Sequence, residues 1–271
     1  GLGAYLFFVQ MFTTNRPFIP GALFKDRNFV SAMVLMFVTG LVMVASSALL
    51  PPYLQQLGGY SVTDTGILMA PRGVGTMIAM VIAGRIASRI DSRYIIAFGA
   101  SLILWSMWEM SKWTPSVTPW SLIDVTFVQG LGMGLVFVPM NLVAFATLSP
   151  VFRTDGSAMI NLMRNVGSAI GVSVTTTILA NGTQAAHSAL AENASAFNRA
   201  LSVGMQGMMW NPKIPMTAQM LNHVVDTNAQ VIAYSNDFIF MLIVSIPSLF
   251  VVFFMKKPPT LAAGEKLEIS E

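Results

Sequence analysis

Residues 71–93 read PRGVGTMIAMVIAGRIASRIDSR, and this stretch decides the class of fold. The apolar run begins near Gly66 and extends for about 20 residues, which is the length that an α-helix needs to cross the hydrocarbon core of a bilayer. Arg85, Arg89 and Arg93 follow the run. Because basic residues at the end of a span favour the cytoplasmic side, the stretch predicts a transmembrane helix and its direction.

The composition supports a polytopic membrane protein. Of 271 residues, 54% are hydrophobic and 10% are charged, against roughly 25% charged residues in a soluble domain. The net charge of +3 does not indicate nucleic-acid binding, because most basic residues fall in short loops between apolar runs. The chain has no cysteine, phosphate loop, HExxH motif or serine elbow, and His187 and His223 lack a carboxylate cluster. We therefore expect no enzyme activity, cofactor or metal.

Six apolar runs predict an all-α, six-span bundle. They cover about 29–50, 65–86, 94–111, 121–148, 156–180 and 237–255. Residues 1–12 are interpreted as the tail of a truncated transmembrane helix, 13–28 as a cytoplasmic linker and 256–271 as a cytoplasmic tail.

The polar segment 181–236 is predicted to form an external helical hairpin, broken at the sequence NPKIP of residues 211–215. Two interpretations of this hairpin stay open: a solvated or interfacial loop, and a docking surface for a partner.

Basic residues separate into two groups when the six runs are threaded through a bilayer. The richer side carries Arg16, Lys25, Arg27, Arg85, Arg89, Arg93, Arg153, Lys256, Lys257 and Lys266, and the poorer side carries Lys112, Arg199 and Lys213. Both ends of the six-span unit are therefore predicted to face the cytoplasm. Such a unit fits two inverted three-helix repeats, 29–111 and 121–255. No residue-level repeat is apparent, so this division rests on hydropathy and topology alone.

Arg72 lies inside its span, roughly 10 Å below the external surface at 1.5 Å per residue. Glu109 and Asp124 fall near the same level on the next two spans. We predict that Arg72, Glu109 and Asp124 form an outer-side charge lock, with structural pairing and a role in the transport pathway as competing interpretations.

The fifth apolar run carries a polar stripe at three- and four-residue spacings. Its members are Ser157, Asn161, Arg164, Asn165, Ser168 and Thr175. Because such a stripe must face protein or water, we predict that Asn161, Arg164, Asn165 and Ser168 line a substrate pathway or a bundle interface. Gln129 and Asn141 on the fourth run are candidates for the same surface, and Gly130 and Gly134 have the small-xxx-small spacing of a packed helix.

The loop GRIASRIDSR at 84–93 resembles the loop motif of the major facilitator superfamily in its second-half copy. Its motif positions are Gly84, Arg85, Arg89, Asp91 and Arg93, with Ser88 where the superfamily commonly has an aspartate. Three further segments, PGALFKDRNF, LLPPYLQQLGGYSVTDTGILMAPRGVG and NLMRNVGSAIGVSVTTTI, resemble the fourteen-span drug:proton antiporters of the EmrB type. The resemblance implies that the six runs are the ninth to fourteenth spans.

The resemblance implies the carboxyl-terminal half of a proton-coupled multidrug exporter in a bacterial inner membrane. The implied partners are the missing amino-terminal half, lipophilic substrates, protons, membrane lipids and a periplasmic membrane-fusion adaptor at 181–236. Because the six runs show no deep carboxylate, the proton-coupling acid is expected in the other half. The alternatives are a superfamily carrier for a siderophore or lipid, and a non-transporting fragment or partner subunit.

Overall fold

The computed structural model describes residues 21–87, 89–193 and 215–255. These ranges contain six long helices: α1 (Arg27–Pro52), α2 (Val62–Ile86), α3 (Ser92–Met110), α4 (Pro119–Ala146), α5 (Arg153–Asn193) and α6 (Pro215–Phe254). Short 3₁₀ helices cover Gly21–Lys25 and Pro150–Phe152, and a π-helical turn, Tyr53–Leu57, extends α1. The all-α prediction with six helices is confirmed.

Capping side chains fix where several of these helices begin. Asp26 Oδ1 accepts hydrogen bonds from the backbone N–H groups of Asn28 at 2.8 Å and Phe29 at 3.3 Å. Ser61 Oγ accepts from Asp64 N in the same way. Such caps satisfy donors that the first helical turn leaves unpaired. Helix α1 therefore begins at Arg27, within the predicted linker 13–28, and the predicted tails at 1–12 and 256–271 lie outside the described residues.

The described parts of the predicted external hairpin, 181–193 and 215–236, are both helical. Residues 181–193 continue α5 and residues 215–236 continue α6, so neither is a separate element. Polar residues reduce the hydropathy of these stretches, but none of them breaks a helix. The two extensions pack together, with a Cβ on Gly182 reaching the Ala233 side chain at 3.4 Å and His187 Nε2 lying 3.2 Å from Asp226 Oδ1.

By length and apolar composition, four helical segments are able to cross a membrane. They are Arg27–Leu57, Val62–Ile86, Pro119–Ala146 and Gln219–Phe254. The 19 residues of α3 include Arg93 and Glu109 near its ends, and α5 carries the polar stripe. Both features lower the mean hydropathy of those two helices.

The helices pair in a pattern that relates the two halves of the bundle. The most extensive contacts join α2 to α4 and α1 to α5, and further contacts join α3 to α4, α5 to α6, and α3 to α6. If α1, α2 and α3 are matched with α4, α5 and α6, the α1–α5 pair corresponds to the α4–α2 pair. Phe37 lies against Gly167 and Leu41 against Gly171, so α1 and α5 run in parallel.

The two pairs repeat at the level of residues, which corrects the expectation that no such repeat exists. On α1 and α4, the sequence FVTGLVM of residues 37–43 matches FVQGLGM of residues 127–133. On α2 and α5, RGVGTMIA of residues 72–79 matches RNVGSAIG of residues 164–171. We call residues 37–43 and 127–133 the FVxGL segments, and residues 72–79 and 164–171 the RxVG segments. The matches are short and separated by about 90 residues, which hides them in a hydropathy profile.

The contacts between the segments repeat as well. A Cβ atom on Gly130 would clash with the Arg72 carbonyl oxygen, and one on Gly40 would clash with the Arg164 carbonyl oxygen. Thr76 Oγ1 donates to the carbonyl oxygens of Arg72 at 2.8 Å and of Gly130 at 3.1 Å. Its counterpart Ser168 donates to the carbonyl oxygens of Arg164 at 2.8 Å and of Gly40 at 3.2 Å. Each crossing is therefore a backbone-to-backbone contact secured by one hydroxyl.

Gly130→Ala should destabilise the bundle, because the added methyl group forces α2 and α4 apart, at a cost of roughly 1–3 kcal/mol. The measurement is thermal unfolding of the purified protein in detergent. Gly73→Ala is the matched control, since no atom lies within 4 Å of a Cβ at that position. Equal melting temperatures for the two variants would contradict the close-contact interpretation.

Candidate functional site: Arg72, Arg164 and the open face of α5

Arg72 is buried between α2, α1 and α4, with 9% of its surface exposed. Its Nη1 donates to Ser47 Oγ at 2.9 Å, and its Nη2 donates to Ser46 Oγ at 3.1 Å and to the Met43 carbonyl oxygen at 3.2 Å. Met133 Sδ lies 3.5 Å from the same Nη2. The guanidinium therefore links α2 to α1 through neutral oxygen acceptors.

The predicted outer-side charge lock is not formed in this structure. Glu109 Oε1 pairs with Lys112 Nζ at 3.0 Å, and Asp124 is exposed. Arg72 instead donates to Ser46 and Ser47 on α1. The sequence did not indicate these partners, because the charge pattern points only to carboxylates. A role for Glu109 and Asp124 in another state of the transporter stays a prediction.

Arg164 has different surroundings from Arg72. It is partly exposed, and its guanidinium carbon lies 5.7 Å from the centre of the Phe137 ring on α4. Within the described part of the chain, its guanidinium makes no hydrogen bond or ion pair. The Phe137 carbonyl oxygen accepts a hydrogen bond from Asn141 Nδ2 at 2.8 Å, which places Asn141 one turn from the same ring.

The other members of the predicted stripe divide into exposed and packed residues. Ser157, Asn161 and Asn165 are exposed, and Asn161 Nδ2 donates to the Ser157 carbonyl oxygen at 2.9 Å. Thr175 is fully buried and bonds to its own helix. The polar part of the open face of α5 therefore consists of Ser157, Asn161, Arg164 and Asn165, while Ser168 donates to α1 and Thr175 is buried.

Gln129 does not lie on this open face. Its side chain is 0% exposed, and neither amide atom has a hydrogen-bond partner within the described residues. It is the third residue of the FVxGL segment on α4, where Thr39 stands on α1. The structure thus places Gln129 inside the bundle.

Asp237 is a buried carboxyl group that the sequence analysis missed. It is 0% exposed, and both side-chain oxygens lack a partner among the described residues. The adjacent Phe238 joins Tyr53, Trp113 and Tyr234 in an aromatic cluster with ring centres 5.3–6.4 Å apart. The expectation of no deep carboxylate did not consider this buried group. The predicted span begins at residue 237, so this carboxyl stands at its edge in the sequence, although Ala233 and Met241 one turn away are both apolar.

The loop motif between α2 and α3 has a capping role in this structure. Asp91 Oδ1 accepts from Arg93 N at 3.2 Å at the start of α3, and Arg93 Nε lies 3.9 Å from the same oxygen. Gly84, Arg85 and Arg89 are exposed, and Ser88 lies outside the described residues. Asp91 is thus engaged with its own helix.

A small cavity lies inside the bundle, between α1, α3, α4 and α6. Its lining is mostly apolar, with Leu35, Ile103 and Met133 among the lining residues and Ser245 among the few hydroxyl groups. None of the predicted pathway residues lines it. The polar residues of α5 therefore belong to an outer face of the bundle.

These features define the class of protein. It is a helical membrane bundle of two three-helix repeats, in which α1 of the first repeat packs on α5 of the second and α4 of the second packs on α2 of the first. Its described residues include an open face with polar side chains on α5. The structure is similar to that of a bacterial homolog of the human lysosomal transporter Spinster in an inward-facing, unoccupied conformation. The TM-score is 0.61 at 16% sequence identity, and the match covers 85% of this chain and 48% of the other. This likeness confirms the fold.

Residues 7–172 match the family described as Major Facilitator Superfamily. The chain belongs to this family of membrane transporters.

Curated relatives include the Multidrug export protein EmrB of Escherichia coli K12, which is 29% identical over 189 residues, 69% of this chain and 36% of the relative. The Probable multidrug resistance protein EmrY of the same strain is 24% identical over 257 residues, 93% of this chain and 49% of the relative. A Multidrug resistance protein B homolog of Mycobacterium tuberculosis is 31% identical over 170 residues. The matches span 32% to 49% of the length of these relatives.

Replacing both Ser46 and Ser47 with alanine should lower stability, because it removes two acceptors from a buried guanidinium. A hydrogen bond to a charged group contributes roughly 1.5–3 kcal/mol, so a clear fall in the melting temperature of the purified protein is expected. Glu109→Gln and Asp124→Asn are the controls and should stay close to the parent protein. A larger fall in melting temperature for the controls than for the serine variant would support the predicted charge lock instead.

Proposed function

We propose that this chain is the carboxyl-terminal transport bundle of a proton-coupled multidrug exporter that works by alternating access. The observation that carries the proposal is the open face of α5. There the Arg164 guanidinium has no hydrogen-bond or ion-pair partner among the described residues and lies between exposed Asn161 and Asn165. Membership of a transporter family and the names of the multidrug relatives support the substrate class. In this proposal, lipophilic drugs leave the cell in exchange for protons.

A second bundle completes the pathway in this proposal. Polar side chains on a membrane helix are costly against lipid, so the face of α5 suits a water-filled cavity or a protein neighbour. A site of this kind, near the bilayer midplane between two bundles, is the arrangement that alternating access uses. Residues 181–193 and 215–236 are the proposed docking region for a periplasmic adaptor, and the location is a bacterial inner membrane.

Arg164→Ala should abolish drug efflux while leaving the amount of protein in the membrane unchanged. The measurement is drug accumulation in cells that express the complete transporter containing this chain, with membrane levels determined by immunoblot. Arg153→Ala is the matched control, because Arg153 is an exposed arginine at the start of the same helix. Normal efflux by Arg164→Ala would contradict the proposal. Competition of efflux by siderophores or lipids, and not by drugs, would favour the alternative carrier.

Single cysteines should report the proposed orientation, since the chain has none of its own. Ser116→Cys, in the exposed loop between α3 and α4, should react with a membrane-impermeant maleimide added to intact cells. Ile90→Cys, in the exposed loop between α2 and α3, should react only after permeabilisation. The reverse labelling pattern would invert the proposed topology.

A further inference from the structure

The two arginines of the RxVG segments occupy equivalent backbone positions but have different partners. Arg72 and Arg164 each place their carbonyl oxygen against the glycine of an FVxGL segment. The carbonyl of Arg72 lies against Gly130 on α4, while its side chain reaches α1. The carbonyl of Arg164 lies against Gly40 on α1, while its side chain reaches α4. Arg72 meets Ser47, seven residues after Gly40, and Arg164 meets Phe137, seven residues after Gly130. The two sites therefore differ at two neighbouring positions: Ser46 and Ser47 on α1 correspond to Val136 and Phe137 on α4.

A serine and a phenylalanine act differently on a guanidinium group. The Ser47 hydroxyl accepts a hydrogen bond from Arg72, and with Ser46 and the Met43 carbonyl it holds the group inside the bundle. A phenyl ring attracts a cation through its face but offers no lone pair to the N–H donors. Among the described residues, the N–H donors of Arg164 consequently have no acceptor, while the Phe137 ring 5.7 Å away fixes the position of the guanidinium.

We propose that Phe137 is a positioning residue that keeps the Arg164 guanidinium available to an acceptor presented across the open face of α5. The inference rests on the proposed function and explains why the Arg164 guanidinium can bind an acceptor from outside the bundle. A planar guanidinium with free donors binds a carboxylate in bidentate geometry. The acceptor class is therefore a carboxylate, carried either by the substrate or by the companion bundle.

Phe137→Ser tests the proposal, because it gives Arg164 the acceptor that Arg72 has. The readout is the rate at which phenylglyoxal, an arginine-specific reagent, labels Arg164 in the complete transporter, measured by mass spectrometry. We expect labelling of Arg164 to fall about tenfold, as a new hydrogen bond to a charged group predicts. Efflux should fall with it, and membrane levels should stay normal. Arg72 should resist labelling in every variant.

Phe137→Leu is the control, because leucine removes the ring without supplying an acceptor. It should leave Arg164 open to labelling and reduce efflux less than Phe137→Ser does. Equal labelling of Arg164 in the parent protein and in Phe137→Ser would overturn the proposal, and so would equal efflux losses in the two variants. A parent protein that exports no drug would refute the proposed function, while the labelling comparison still decides the role of Phe137.

The two sources of the carboxylate are separated by a protection experiment on the parent protein. Benzoate, a simple aromatic carboxylate, is the probe, and benzamide is its neutral counterpart. Protection of Arg164 by benzoate alone indicates a carboxylate from the substrate. A low labelling rate that rises when carboxylates of the companion bundle are changed to amides indicates the companion bundle. A high labelling rate that neither benzoate nor those amide changes alter would overturn the assignment of a carboxylate.

Discussion

The bundle depends on two places where helix backbones touch. At Gly40 and Gly130 the side chain is a hydrogen atom, and the carbonyl oxygen of an arginine on the partner helix occupies the space of a Cβ. Small residues allow such approach in membranes, where helices gain little from excluding water and associate through packing and hydrogen bonds. Thr76 and Ser168 add one interhelical hydrogen bond at each crossing. The α1–α5 and α2–α4 pairs are thereby fixed, and the other helices pack around them.

The same backbone contact supports two different side-chain arrangements. In the first half, the arginine is enclosed and tied to a serine pair, so its charge contributes to holding α1 and α2 together. In the second half, the arginine lies over an aromatic ring on an open face. The exposed faces of the two helices that carry these arginines, α2 and α5, also differ in polarity. The exposed face of α2 is apolar, with Met77 65% and Val81 52% exposed, whereas the exposed face of α5 carries Asn161 and Asn165. The two helix crossings thus have the same geometry, while the exposed faces beside them differ in polarity.

The number and order of the helices followed from the sequence, because hydropathy and basic loop residues are local properties. The packing of Gly130 and Gly134 was also predictable, since small-xxx-small spacing is a local pattern. Other features depended on residues far apart in the chain. The partners of Arg72 are hydroxyl and carbonyl groups on another helix, and no charge pattern indicates them. Likewise, the continuity of α5 and α6 through their polar extensions was not predicted, because polarity alone does not show where a helix ends.

The open face of α5 makes a physical demand that the bundle alone does not meet. Amide and guanidinium groups need hydrogen-bond partners, and a lipid tail supplies none. The guanidinium of Arg164 lies over Phe137, and Asn161 donates to the Ser157 carbonyl oxygen of its own helix. Among the described residues, the other donors of these two side chains have no partner. An apolar cavity inside the bundle offers them no alternative. These donors therefore require water, a ligand or a second protein surface, and the transport pathway proposed above between two bundles would supply them.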